Sequence, residues 1–148
     1  MGIKGPEVVD YNDSYAEVWI NEDTSLCFEI SQDQTKVICV SRSKWVQPDK
    51  FSKARSLAVR AMLHYRGLDI TEVAREALMR TSKNKNWGLD VAVEQTLKQR
   101  PRPLPIAFTF IIMSEVGRIR GVKSKHKKER KLHSKSRTWQ QLDFLEDL

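Results

Sequence analysis

Phe51, Ala54, Leu57, Ala58, Ala61, Met62 and Tyr65 recur three and four residues apart through "QPDKFSKARSLAVRAMLHYRG", which commits the middle of the chain to an amphipathic helix with a core to cover. Lys53 and Arg60 fall on the other face, Asp49 stands where it can cap the start, and Gly67 can close the helix in the left-handed conformation. A second helix follows at once. Asp69 with Glu72 three residues later makes a capping-box-like start to "ITEVAREALMR", whose apolar face is Ile70, Val73, Ala74, Ala77 and Leu78. Two helices joined this closely form a hairpin, and the rest of the chain must pack around it.

Before the hairpin, residues 15 to 40 hold three short β-branched and aromatic runs separated by the polar clusters "NEDTS" and "SQDQT". These predict a three-stranded antiparallel meander near 15–20, 26–30 and 36–41. Leu26, Phe28 and Ile30 alternate with Cys27 and Glu29, giving one face to bury and one to wet. Three strands alone are marginal, so they must pack on the helices. After the hairpin, "TSKNKNWG" is a polar, basic loop with Trp87 available to plug the core. Asp90 then caps a third helix, "VAVEQTLKQR", that must stop before Pro101. In "IAFTFIIM" the residue types favour a strand, whereas Pro105 in front and Val116 and Ile119 at helical spacing favour a last helix; the helix is preferred. Its first half is then buried and its second half emerges carrying Arg118, Arg120 and Lys123.

The expected fold is therefore α+β: a three-stranded meander on a core of about four helices, with a basic C-terminal helix or arm. At 148 residues one domain fits, with residues 1–14 an N-terminal tail, 15–122 the globular part, 123–137 a basic arm and 138–148 an acidic amphipathic tail.

Charge is the second strong feature. Of a net +7, residues 117 to 137 alone carry ten lysines and arginines against one acid, Glu129, whereas residues 1 to 33 hold eight acids and one base. Arg118, Arg120, Lys123, Lys125, Lys127, Lys128 and Arg130 are dense enough to release the counterions condensed on a nucleic acid, an entropic source of affinity. A solvated tail or a nuclear import signal are the plainer uses of such a run. A second cluster comprises Arg80, Lys83 and Lys85 in the loop with Lys98, Arg100 and Arg102 at the end of the third helix. Ser82, Asn84 and Asn86 add groups that read bases or phosphate oxygens. The tail "TWQQLDFLEDL" places Trp139, Leu142, Phe144 and Leu145 at helical spacing among acids, as a surface that folds back on its own domain or docks on a protein partner.

Other chemistries find little footing. Cys27 and Cys39 lack the CxxC spacing of a zinc site and read as plain buried thiols, so no metal and no cofactor are expected. His64 borders the buried face of its helix, His126 and His133 lie in the basic run, and no paired carboxylate motif occurs, so no enzyme is expected. No run approaches a membrane span, and the first residues match neither a secretory signal nor a myristoylation site.

From Phe51 to about Arg130 the chain resembles a BEN domain, a small helical DNA-binding module. The likeness rests on "ARSLAVRAML" as a first long helix, "REALMRTSKNKN" as a short helix and polar loop, "GLD" opening the next helix, and "GRIRGVKSKHKKER" ending the last. An aromatic-glycine step after the first helix and a serine-x-x-glycine step are missing, and Glu94 stands where an apolar residue is expected five after Leu89. The resemblance implies that Lys83 and Lys85 and then Arg118, Arg120, Lys123 and Lys125 face DNA. Together these features predict a non-enzymatic nucleic-acid-binding protein of the nucleus, with DNA before RNA. The rivals are a ribonucleoprotein component and a protein-interaction module whose basic run only directs import.

Overall fold

Three side chains fold the N-terminal third by bonding their own backbone two residues on. Asn12 Oδ1 accepts from the Ser14 amide at 2.9 Å, Asn21 Oδ1 from Asp23 at 3.0 Å and Asp33 Oδ1 from Thr35 at 3.1 Å. Each turn joins two strands, so the computed structural model, which describes residues 5–132 with side chains from 5 to 121, contains a four-stranded sheet. Its strands are β1 (Glu7–Tyr11), β2 (Tyr15–Asn21), β3 (Thr24–Ile30) and β4 (Val37–Arg42), antiparallel in the order β1-β2-β3-β4.

The expected three-stranded meander is therefore extended by β1, inside the segment read as a tail. The half-buried Val8 and Tyr11 pack on the core, and Val8 lies opposite Val18. Both edge strands carry an irregularity, at Val9 in β1 and at Val40 in β4, which leaves these valines exposed and interrupts the pairing edge.

One sheet face, formed by Ala16, Val18, Leu26, Phe28 and Val37, is buried on α1 (Pro48–Tyr65). Phe28 meets Phe51 edge-on with ring centroids 5.5 Å apart. α1 buries more than one stripe: Val59 and Leu63 are enclosed along with Ala54, Leu57, Ala58 and Met62. The reason is that α1 has the sheet on one side while Arg55 and Arg60 reach residues of α4 on the other. Tyr65, expected in the core, is 58% exposed and stacks edge-on against Tyr11. Asp49 does not cap α1; Gln47 is the N-cap, without a side-chain bond, and Pro48 begins the helix, where its missing N–H costs nothing.

α1 ends as its sequence indicates. Gly67 has φ +78°, and a Cβ built there meets nothing within 4 Å. Only backbone strain opposes a side chain at that position, so Gly67→Ala should cost about 1 kcal/mol, read as a lower urea midpoint at unchanged m-value.

α2 (Ile70–Lys83) is capped by Asp69, whose carboxylate accepts from the Thr71 amide, and it buries Ile70, Val73, Ala74 and Ala77. α3 (Leu89–Lys98) is entered through Gly88 as N-cap, with Asp90 in the first turn and not at the cap. Trp87 is half-buried and does not enter the core. A short 3₁₀ turn at Ile106–Phe108 leads into α4 (Thr109–Leu132), which resolves the strand-or-helix ambiguity. α2, α3 and α4 pack on one another, with Phe108, Ile111, Ile112 and Val116 buried.

Candidate nucleic-acid interface

α4 presents its first turns to the core, which would place the carboxylate of Glu115 among apolar side chains. Glu115 is 1% exposed. Such an anion persists only with full compensation. Arg118 one turn on supplies two bonds, Nε to Oε1 at 3.0 Å and Nη2 to Oε2 at 2.7 Å. Arg60 of α1 donates to Oε1 at 3.0 Å, and the Thr71 hydroxyl of α2 donates to Oε2 at 2.7 Å. Burial alone would push this carboxyl up. The bonds from Arg118 and Thr71 and the charges of Arg118 and Arg60 outweigh it and hold the group at about 2. Three helices are thus locked through one carboxylate at the point where α4 leaves the core.

Arg118, expected to face a polyanion, has its guanidinium on Glu115, while Arg120 is exposed. Lys123, Lys125, Lys127, Lys128 and Arg130 occupy backbone positions in the last turns of α4, and their side chains lie outside those described. At about 100° per residue, positions 120, 123, 127, 130 and 131 share one face of the helix, and position 129, the glutamate, falls opposite. Trp139, Leu142, Phe144 and Leu145 also lie outside the described residues.

The second basic cluster divides. Arg80 donates to Gln99 Oε1 at 2.7 Å and pairs with Glu76 at 3.4 Å; Arg100 takes the other Glu76 oxygen at 2.9 Å. Arg102 pairs with the Asp13 carboxylate in the first turn of the sheet, and Lys98 pairs with Glu94 one helical turn back. These residues tie α2 to the end of α3 and the α3–α4 connector to the sheet. Lys83 and Lys85 are exposed and, among the described residues, make no ion pair. Asn84 is the C-cap of α2, its side-chain amide donating to the Arg80 carbonyl at 3.0 Å. Thr71 begins α2 at the Glu115 cluster and Lys83 ends it, about 18 Å along the axis, so the loop lysines and the base of the arm are separate patches.

Residues 5–121 hold seventeen basic and fifteen acidic residues, close to balance, whereas residues 122–148 hold eight and four. The solvent face of the sheet is acidic: Glu7, Asp10, Glu17 and Glu29 lie there in register with Trp19 and Tyr15. Trp19 Nε1 donates to Glu17 at 2.6 Å. Cys27 and Cys39, expected to be buried, are half-buried and free. The Tyr15 hydroxyl donates to Cys27 Sγ at 3.3 Å, and that bond is the first cause of a phenol pushed up to about 12.

A groove of about 880 Å³ lies between β1, α1 and the start of α2, lined by Val8, Tyr11, Leu57, His64, Leu68 and Glu72 among others. No serine, threonine, cysteine or lysine lines it. Among the described residues no three histidines, cysteines or acids could hold a metal ion, and no helix is long and apolar enough to cross a membrane. Comparison of the chain with family models, curated proteins and solved structures finds no match in any of the three.

Proposed function

We propose that the chain is a non-enzymatic nucleic-acid-binding protein that grips phosphates through the distal, basic half of α4, working in the nucleus on DNA in preference to RNA. The observation that supports this most is the continuity of α4 from the Glu115 cluster to Leu132. Cations on one clamped helix meet a polyanion together, and little ordering entropy is lost on binding. A near-neutral body behind them directs the charge to one end. A straight helix suits the major groove of B-DNA, about 12 Å wide, better than the deep and narrow groove of A-form RNA. The resemblance to a BEN domain leads to the same polyanion.

Titration of a labelled duplex at rising salt tests the proposal. Five neutralised phosphates give a log–log slope of about −4 to −5. Affinity that stays constant between low and moderate salt removes it, and stronger competition by structured RNA at equal salt moves the target to RNA. The groove beside β1 favours a second reading, a peptide-binding module whose basic run directs import. A chain ending at Gly121, which retains Arg118 and the Glu115 cluster, separates the two, since it would lose nucleic acid and keep a peptide partner.

A further inference from the structure

Arg55 stacks on an aromatic ring at the edge of the helical core, beside a pocket. Its guanidinium lies 4.3 Å from the centre of the Phe110 ring, and its Nε is buried with no hydrogen-bond partner. It borders a pocket of about 410 Å³ at the start of β4, together with Lys36, Thr35, Ile38, Ile106 and Thr109. No acid lines this pocket. The nearby Asp33 is occupied in the β3–β4 turn, where its carboxylate accepts from the Ser31 and Thr35 hydroxyls at 2.7 Å each. The wall is held in place because the Gln34 carbonyl, on a residue with φ 65°, accepts from the Ala107 amide at 2.9 Å. β4 is the last strand of the sheet, so alternate backbone groups of Val37 and Ile38 point away from β3. Ile38 and Ile106 are 41% and 45% exposed at the rim.

We propose that this pocket is a carboxylate-binding site and that its occupant is the chain's own acidic, apolar tail, residues 138–148. The chemistry is complementary. A guanidinium stacked on a ring keeps its edge for a carboxylate, Lys36 and the Thr109 hydroxyl stand beside it, and the rim is apolar. The tail offers Asp143, Glu146 and Asp147 interleaved with Leu142, Phe144 and Leu145. A nucleic-acid phosphate finds no use for the apolar rim, and a basic peptide meets like charge. Reach permits the seat. The pocket lies at the first turn of α4, which is about 36 Å long, and the fourteen residues from Leu132 to Glu146 reach about 46 Å as extended chain, so the seat requires the tail to bind extended and not as the helix its spacing allows. This docking site is distinct from the phosphate-binding face and stands without it.

Backbone and arginine side-chain NMR on three proteins decides the matter: the full chain, a chain ending at Arg137, and that shorter chain carrying Arg55→Gln. The buried residues among those described end at Val116, ahead of the cut, and circular dichroism with urea midpoints checks that each of the three chains is folded. Loss of the tail should shift the amides of Lys36 to Ser41 and the Arg55 Nε–H. A synthetic peptide of residues 138–148 at millimolar concentration should restore the original positions. Arg55→Gln should weaken that peptide at least tenfold, and Lys36→Gln, on the surface and outside the core, should weaken it severalfold. Identical spectra with and without the tail overturn the proposal, as does a peptide that binds Arg55→Gln undiminished. A full chain that dimerises only when the tail is present overturns the intramolecular seat in favour of exchange between copies.

Discussion

Glu115→Ala is expected to lower the unfolding free energy by about 3–5 kcal/mol, because Arg60 and Arg118 would then be held at the helix junction without their shared carboxylate. A domain of this size has about 5–15 kcal/mol in all, so the variant should sit near the edge of folding at 37 °C. Glu115→Gln keeps an acceptor for Thr71 and Arg118 and should lose less. The acid limb supplies an independent readout. The folded carboxyl is held at about 2, below its ordinary 4.5. A depressed carboxyl contributes stability that is complete above the unfolded value and is lost as pH falls through the folded one. The window is therefore about 4.5 down to 2, and the amount is on the order of 3 kcal/mol. Urea midpoints measured through that window should fall steeply for the native chain and flatten for Glu115→Gln. Equal midpoints, or an acid limb of the same steepness in both, would show that the carboxylate holds nothing together.

The features legible in the sequence are those decided within a few residues. Asp69 caps α2 and Gly67 ends α1 because cap chemistry is local. β1 was legible too. "YNDSY" between two apolar pairs carries the same Asx turn as "NEDTS" and "SQDQT", but only two half-buried side chains follow the alternation, and Val9 breaks it. What the sequence withheld was partnership. Whether Val59, Leu63 or Tyr65 is buried depends on which elements flank α1, and no spacing within α1 states that. Arg118 reads as one of a run of cations until Glu115, a lone acid in the apolar run "FIIMSEV", is seen to need compensation. Glu76 with Arg80 and Glu94 with Lys98 are four apart, the spacing of a helical ion pair, and this signal marks two members of the second basic cluster as structural.

Substituting Arg120, Lys123, Lys127, Arg130 and Lys131 together by glutamine should reduce duplex affinity by about three orders of magnitude at moderate salt and flatten the salt slope by four to five, with the fold intact. Each phosphate contact contributes about 0.9 to the slope, which at 0.15 M corresponds to about fivefold per residue. All five positions follow the Glu115 cluster and precede the tail, so circular dichroism and urea midpoints should not move. The contrasts locate the interface. Lys83→Gln with Lys85→Gln removes two exposed charges that are not aligned with the arm, and should cost tenfold or less. Arg118→Gln should act mainly on stability, since its guanidinium is on Glu115. Gly117→Ala with Gly121→Ala, both with open space at the Cβ, leaves charge alone and raises helix propensity by about 1 kcal/mol per site. If cations act together because the helix is stiff, this last variant binds as tightly as the native chain or tighter. If it binds more weakly, the arm adapts to its target by bending at these glycines. Should the five-glutamine chain keep its affinity, the arm is not where phosphate is met.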